Sequence, residues 1–150
     1  MTTADASRAD IRHRVIAATP LEVFAAMSAP DRVARWWGPA GFTSTIHTFE
    51  FVPGGRWLLT MHGPNGADYP NESRFTRIVD GAVFEIEHLN GHHFVLTIEL
   101  HAHVDGTEVR WCQAFDSPDE FQKLASFVAA ANEENLTRLA AEVARGVGAR

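Results

Sequence analysis

The sequence predicts an α+β fold in which a long C-terminal helix closes one face of an antiparallel β-sheet. Six segments rich in aromatic and β-branched residues follow one another in the middle of the chain, with short turn sequences between them. Three of these turns contain Asx-Gly pairs, at residues 80–81, 90–91 and 105–106, which favour tight hairpins between antiparallel strands. After residue 117 the apolar residues change to the period of a helix.

Before the sheet, residues 11–18 alternate in polarity and predict a first strand, which two short helices follow. Thr19 is a typical N-cap, with a proline at the first helical position and Glu22 where a capping box requires it. Pro30 starts a second short helix, which is predicted to end within Trp36-Trp37-Gly38-Pro39. We expect these two helices to form a pair.

The later strands are predicted to have one strongly apolar face. They span residues 42–51, 56–62, 72–79, 82–89, 93–104 and 107–115. By alternation, the inward positions are Trp57, Leu59, Met61, Phe84, Ile86, His88, Phe94, Leu96, Ile98, Leu100, Val109, Trp111, Gln113 and Phe115. The longest irregular segment, residues 63–71, is predicted to be a loop at the entrance of a cavity on that face.

The terminal helix is predicted to run from Pro118 to about Ala144, after a second cap-proline-Glu signal. Its inner face collects Phe121, Leu124, Ala125, Val128, Asn132, Asn135, Leu136, Leu139 and Val143. The two amides on this apolar stripe need hydrogen-bond partners. For Asn132 we expect a ligand or a cavity water rather than a protein group. The boundaries predicted are a flexible N-terminus at residues 1–10, one domain at 11–145 and a tail at 146–150.

Charge and composition exclude several classes of protein. Asp and Glu number 19 against 13 Lys and Arg, without a basic cluster, so we expect no nucleic-acid partner. No apolar run is long enough to span a bilayer, and residues 1–10 lack the apolar core of an export signal. The single cysteine, Cys112, cannot form an intramolecular disulfide. We therefore expect a cytoplasmic protein without membrane association.

The sequence offers no motif for a metal ion or a cofactor. His101 and His103 share a strand face, but no cysteine or carboxylate accompanies them at ligand spacing, so no metal is expected. A glycine-rich phosphate loop, a dinucleotide fingerprint and a nucleophile motif are all missing, so no cofactor is expected. Glu85, Glu87 and Glu99 alternate away from the apolar face, which leaves no convergent pair of carboxylates for acid–base catalysis.

Four short motifs occur in order between residues 36 and 71. They are Trp36-Trp37-Gly38-Pro39 with Gly41-Phe42, Pro53-Gly54-Gly55 with Trp57, Met61-His62-Gly63-Pro64-Asn65-Gly66, and Tyr69-Pro70-Asn71. At this spacing the chain resembles, over residues 11–144, the bacterial branch of the family named for the activator of the 90-kDa heat-shock protein ATPase. The resemblance implies the helix-grip fold of birch-pollen allergens and START lipid-transfer proteins. Many relatives carry a tryptophan where this chain has Asn132, which implies a roomier and more polar cavity here.

Pattern and resemblance together predict a binding module for a small hydrophobic or aromatic molecule, held between the sheet and the terminal helix. The candidate ligand-binding residues are Trp36, Trp57, Met61, Tyr69, His88, Phe94, Trp111, Gln113, Val128, Asn132 and Asn135. One alternative is a cyclase- or hydrolase-type enzyme, in which His88 or a carboxylate at the mouth, Glu50 or Glu72, moves a proton. The other is a chaperone-ATPase regulator acting by protein contact. Pairing of an exposed edge strand into a homodimer stays open at this stage.

Overall fold

One antiparallel sheet of seven strands organises residues 6–148, the part of the chain that the computed structural model describes. The strands are β1 (Ala9–Ile16), β2 (Thr43–Phe49), β3 (Arg56–His62), β4 (Asp68–Val79), β5 (Val83–His88), β6 (Phe94–His103) and β7 (Gly106–Phe115). Their order across the sheet is β1-β7-β6-β5-β4-β3-β2, so the first strand pairs with the last. The helices are α1 (Pro20–Ser28), α2 (Pro30–Trp36) and α3 (Pro118–Gly148). The predicted α+β helix-grip architecture is confirmed.

The predicted capping box at the start of α1 is also present. The backbone N–H of Glu22 donates to Thr19 Oγ1 at 3.2 Å, and the N–H of Thr19 donates to Glu22 Oε1 at 2.8 Å. These two bonds satisfy N–H groups that the first helical turn cannot pair internally. They set the point where the chain leaves β1 and turns beneath the sheet.

Strand β4 begins at Asp68, four residues before its predicted start, so the expected entrance loop is shorter. Tyr69 pairs with Met61 of β3, and Pro70 pairs with Thr60. β5 reaches only as far as Ser73 of β4, so this first part of the strand has a neighbour on one side alone. A proline, which lacks the N–H for a second ladder, is tolerated at such an edge. Turn-forming residues therefore misled the prediction for residues 68–71.

Regular secondary structure extends beyond residues 11–145 at both ends. Residues Ala6–Arg8 form a turn of 3₁₀ helix, and β1 already pairs Ala9 with Ala114 of β7. Asp10, assigned from the sequence to a flexible terminus, is 7% exposed. At the other end, α3 continues through Gly148 instead of ending near residue 144. Residues 1–5 and 149–150 of the predicted terminal segments lie outside the described residues.

Aromatic side chains fill one end of the space beneath the sheet. Trp57 and Phe75 stack with ring centroids 5.8 Å apart. Phe49, Phe51 and Phe84 surround this pair at centroid distances between 5.1 and 6.1 Å. Trp57, Phe75 and Phe84 are fully buried. This end of the fold is therefore closely packed core, which aromatic edge-to-face contacts stabilise further.

The two halves of α3 differ in how deeply they are buried. In the second half Leu136, Leu139 and Val143 are at most 1% exposed. In the first half Leu124 is only partly buried, and Phe127 is 67% exposed. The second half thus packs into the core beside α1 and α2, whereas the first half spans the remainder of the sheet with less support.

A buried carboxylate joins the second half of α3 to α2. Glu142 is 5% exposed and accepts hydrogen bonds from Nε of Arg32 and Nε of Arg35, each at 2.9 Å, and from Arg145 at 3.1 Å. Burial would raise the pKa of Glu142, but the hydrogen bonds from the three arginines outweigh it and lower the pKa to about 2. The carboxylate of Glu142 is therefore ionised in the folded protein at neutral pH.

We predict that Glu142→Gln destabilises the protein by about 2–3 kcal/mol at pH 7, because three guanidinium groups lose their buried partner. Since the folded pKa is depressed, Glu142 contributes stability above its ordinary pKa of 4.5, and this contribution is lost as pH falls toward about 2. The difference in free energy of unfolding between wild type and variant should therefore shrink over that range in urea titrations.

Glu134→Gln is the matched control for Glu142→Gln. Glu134 is an exposed carboxylate on the same helix that accepts a hydrogen bond from the N–H of Ala40, and an amide oxygen can accept that bond equally. This control should change stability by less than about 0.5 kcal/mol. A Glu142→Gln deficit that is the same at pH 7 and at the lowest pH where the protein stays folded would contradict the assigned role.

Candidate functional site

A cavity of about 540 Å³ lies between the sheet and the first half of α3. Its floor is formed by inward side chains of β3 to β7, and its roof by Leu124, Phe127, Val128 and Ala131 of α3. The turn that follows α2, residues 37–39, closes one side. The cavity thus occupies the part of the interior that the aromatic core leaves empty.

Strand alternation and helix period located most of the lining. Nine of the eleven candidate residues line the cavity: Met61, Tyr69, His88, Phe94, Trp111, Gln113, Val128, Asn132 and Asn135. The sequence analysis missed Phe127 and Ala131, which each precede a member of the predicted helix stripe by one position and lie beyond the same edge of it. A wider inner face for α3 would have included them, because a helix that covers a cavity contributes side chains to the cavity wall from beyond its fully buried stripe.

Trp36 and Trp57 do not line the cavity, which corrects the prediction for both. Trp36 is fully buried, and its Nε1 donates to the carbonyl oxygen of Ala26 at 2.8 Å. Trp57 belongs to the aromatic core. Trp37 lines the cavity instead. A signal for this was present, because Val33 and Trp36 are spaced as one helix face and therefore point together into the core.

The described lining carries no formal charge. It contains no Asp, Glu, Lys or Arg, and its titratable groups are His88, His92 and Tyr69. A charged molecule entering such a cavity would lose hydration without an oppositely charged partner. Within residues 6–148, moreover, no three His, Cys, Asp or Glu side chains are grouped so that they could hold a metal ion. The cavity therefore suits an uncharged organic molecule.

His88 lies in the cavity wall with both ring nitrogens engaged. Nδ1 is 2.7 Å from the carbonyl oxygen of His92, and Nε2 is 2.8 Å from Oδ1 of Asn71. The imidazole stacks on Phe94, with centroids 4.6 Å apart. Burial lowers the pKa of His88 below its ordinary value. A neutral imidazole carries one N–H, so Nδ1 donates to the carbonyl oxygen of His92 and Nε2 is an acceptor that faces the side-chain amide of Asn71. His88 therefore helps to build the wall.

Asn135 fastens α3 to the end of α2 instead of facing the cavity with free polar atoms. Its Nδ2 donates to the carbonyl oxygen of Trp36 at 2.8 Å, and its Oδ1 accepts from the N–H of Gly38 at 3.3 Å. Gly38 has a φ of 102°, and a Cβ at this position would lie 2.8 Å from Cε of Met61. Glycine is thus needed for the turn that brings Trp37 to the cavity.

Arg138, one turn further along α3, holds the same segment from outside. Its guanidinium donates to the carbonyl oxygens of Arg35, Gly38 and Pro39 at 2.9, 2.9 and 3.0 Å. These acceptors include backbone groups that the end of α2 leaves unpaired. Burial lowers the pKa of Arg138. The turn beside the cavity is thus fixed by two side chains of α3.

Asn132 finds its partners within the protein, so the expectation of a ligand or water partner is wrong for its Nδ2. That atom donates to Oδ2 of Asp10 at 2.8 Å and to Oε1 of Gln113 at 2.9 Å. Asp10 in turn accepts two hydrogen bonds from Arg12, at 2.6 and 2.8 Å. Burial raises the pKa of Asp10, but the hydrogen bonds from Arg12 and Asn132 outweigh it, and the pKa lies below its ordinary value.

Asp10, which binds two residues of the lining or their neighbours, is a further residue that the sequence analysis missed. It was assigned to a flexible terminus, although its pairing with Gln113 across β1 and β7 places both side chains on one face. The available signal was the alternation of Asp10, Arg12 and Arg14 with Ile11 and Val15, which extends the strand toward the N-terminus. Arg12, two residues further along the same face, is the charged partner of Asp10, whereas Asn132 lies far away in the sequence.

Exposed residues among the lining mark where the cavity meets solvent. Tyr69, at the start of β4, is 44% exposed and packs against Phe42 at a centroid distance of 6.0 Å. Phe127 of α3 is 67% exposed, and residues 90–92 of the turn after β5 are exposed as well. Tyr69 thus lies at the predicted entrance, although it belongs to a strand and not to a loop.

No helix among the described residues is long and apolar enough to cross a membrane.

We predict that Asn132→Leu destabilises the protein without any ligand, by about 1–3 kcal/mol, because Oε1 of Gln113 loses its partner and Oδ2 of Asp10 keeps only its bond to Arg12. Gln122→Leu makes a similar change at an exposed position of the same helix and should stay within about 0.5 kcal/mol of wild type. Thermal and urea unfolding of the three proteins measures this. An Asn132→Leu protein as stable as the control would show that the bonds to Asp10 and Gln113 contribute nothing.

Comparison with known families agrees with this architecture. A model of the family described as Activator of Hsp90 ATPase homolog 1-like protein matches residues 17–144 of the chain. Among curated proteins, none matches the sequence significantly.

Solved structures of bacterial proteins show the same fold at low sequence identity. A protein from Nitrosomonas europaea aligns with a TM-score of 0.88 at 18% identity, covering 97% of this chain and 99% of its own. One from Rhodobacter sphaeroides has a TM-score of 0.83 at 23% identity, covering 93% and 94%. An AHSA1 protein from Silicibacter pomeroyi has a TM-score of 0.75 at 20% identity, covering 92% and 99%. Since the family match extends over most of the sequence, this chain belongs to the Activator of Hsp90 ATPase homolog 1-like family.

Proposed function

We propose that this protein binds a small, uncharged hydrophobic or aromatic molecule in the cavity beneath α3. The observation that supports this most is the combination of a volume of about 540 Å³ with a described lining of aromatic, aliphatic and amide side chains and no formal charge. Pockets for small molecules typically have apolar walls and a few polar groups that fix orientation. The family is compatible with this proposal, but its name describes a different activity.

The apolar walls supply the driving force for binding. Phe94, Leu96 and Trp111 of the sheet and Leu124 and Phe127 of α3 are among the residues that line the cavity. A two-ring molecule that buries about 300 Å² of apolar surface gains about 7 kcal/mol from its removal from water. The loss of translational and rotational freedom offsets part of this gain. We therefore expect micromolar or weaker dissociation constants for molecules of that size.

Neither alternative has a contact of its own to support it. Acid–base catalysis in the cavity would need a proton-transferring group that faces the ligand, and the described lining contains no carboxylate. The two nitrogens of His88 are held by His92 and Asn71. The chaperone-regulator alternative rests on the family name alone. Binding of a small molecule is therefore the function we propose.

We predict that Ala131→Trp blocks the cavity, since Ala131 lines it from the roof and an indole would fill the space below. The probe is N-phenyl-1-naphthylamine, an uncharged aromatic dye whose fluorescence rises in apolar surroundings. Wild type should bind it saturably. Ala131→Trp should weaken binding by about tenfold or more, which corresponds to about 1.4 kcal/mol.

Ala130→Trp is the control for this test. The neighbouring alanine is exposed and does not line the cavity, so the same substitution has a similar effect on helix propensity without filling the site. It should leave the dissociation constant unchanged within about twofold, or about 0.4 kcal/mol. Equal binding by the two variants would show that the dye binds elsewhere, and a wild type that does not bind it would count against the proposed function.

A further inference from the structure

The charge of Asp10 determines which way two amides at the cavity point. An ionised carboxylate can only accept hydrogen bonds, and Arg12 already donates to both of its oxygens. Asn132 must therefore turn Nδ2, and not Oδ1, toward Asp10. Nδ2 also donates to Gln113, so the side-chain atom of Gln113 that faces Asn132 must be its acceptor, Oε1. One buried charge thus orients both side-chain amides.

This arrangement leaves two polar atoms unused. Nε2 of Gln113 and Oδ1 of Asn132 make no hydrogen bond within residues 6–148, whereas their partner atoms on the same amides do. Neither atom is among the fully buried atoms that lack a partner, so each reaches open space. Asn132 is only 7% exposed, and both residues line the cavity. The cavity is therefore offered one donor and one acceptor by two neighbouring amides.

We propose that these two atoms recognise the polar head of the ligand, and that this head is an uncharged group carrying an acceptor beside a donor, as in a primary carboxamide or a lactam. The proposal rests on the proposed function, because it assigns a head group to a molecule in the same cavity. The ligand carbonyl accepts from Nε2 of Gln113, and the ligand N–H donates to Oδ1 of Asn132. The apolar remainder lies against walls that include Phe94 and Trp111.

Charged head groups can satisfy only half of this arrangement. A carboxylate accepts from Gln113, but it has no hydrogen to donate to Oδ1 of Asn132, and it brings a negative charge toward buried Asp10. An amidinium only donates, so it leaves the N–H groups of Gln113 unpaired. In either case a polar group is desolvated without compensation. The arrangement therefore discriminates by hydrogen-bond pattern and not by charge attraction.

The test compares probes that share one ring system and differ only in the head group. These are 2-naphthamide, N,N-dimethyl-2-naphthamide, 2-naphthoate, 2-naphthamidine and naphthalene. Titration calorimetry at pH 8 should find 2-naphthamide the tightest. The dimethylamide, which keeps the acceptor but loses the donor, should bind about fivefold to tenfold more weakly, the range expected for one hydrogen bond. Naphthoate should bind at least about tenfold more weakly.

Gln113→Glu replaces the donor that faces the ligand with an acceptor. One carboxylate oxygen still accepts from Nδ2 of Asn132, and the other takes the place of Nε2. The preference should then move to a donor-only head. We expect the affinity ratio of 2-naphthamidine to 2-naphthamide to rise by about tenfold or more over wild type. Naphthalene, which has no head group, should lose less affinity than 2-naphthamide does.

Asp10→Asn tests the positioning role of the buried carboxylate. An asparagine there can donate or accept, so Asn132 is no longer forced into one orientation. The preference of the variant for 2-naphthamide over its dimethylamide should fall toward about twofold or less, while naphthalene binds as in wild type. A loss of stability alone would lower the affinity for every probe together and would leave this ratio unchanged.

The outcomes separate the two proposals. Probes that all bind with similar affinity would overturn the head-group assignment and leave binding in the cavity standing. Naphthalene or naphthamide binding that survives Ala131→Trp would place the probes outside the cavity, against both proposals. Failure of every probe to bind would likewise reject both. If wild type prefers 2-naphthamide, and Gln113→Glu and Asp10→Asn keep the same preference, then atoms other than Gln113 Nε2 and Asn132 Oδ1 bind the head group.

Discussion

The direction of α3 is set by the attachment of its second half to α2 and to the turn that follows α2. Glu142 binds three arginines, two of them on α2, and Arg138 and Asn135 bind the backbone of the turn that follows α2. With one half of a 31-residue helix fixed in this way, the direction of the other half follows, because a helix of this length is stiff. The first half must then cross the sheet wherever that direction takes it, whether or not its side chains reach the floor.

Beneath α1 and the end of α2, large rings fill the interior, and Phe24 and Trp37 pack against the aromatic core at centroid distances of 5.8 Å from Phe51 and 4.6 Å from Trp57. Beneath the first half of α3, the floor includes shorter or partly polar side chains such as Met61, Ser73 and Gln113 beside the rings of Phe94 and Trp111. They do not reach the roof, and the cavity is the result. The exposure of Phe127 has the same origin, since a roof side chain with nothing beneath it lies between the cavity and solvent. Cavity and weakly supported helix are therefore two consequences of one geometry.

How much could be predicted from the sequence depended on whether the relevant partners were local. Strand alternation is a local signal, and it correctly placed Phe94, Trp111 and Gln113 on the cavity floor. The carboxylate that accepts from Asn132 lies 122 positions away, so no local pattern connects Asp10 with the terminal helix. The early start of β4 likewise depends on pairing with β3, which overrode the turn propensity of its residues.

The two amides on the inner face of α3 looked equivalent in the sequence, yet the chemistry of their partners makes them different. Asn135 meets a backbone carbonyl and a backbone N–H, so both ends of its amide are used in holding the turn. Asn132 meets a carboxylate and the oxygen of Gln113, which are both acceptors and can use only its N–H groups. Its oxygen is left over for that reason alone. A buried group that a fold satisfies on one side only is one that a ligand can complete, and this distinguishes a polar residue of the cavity from a polar residue of the core.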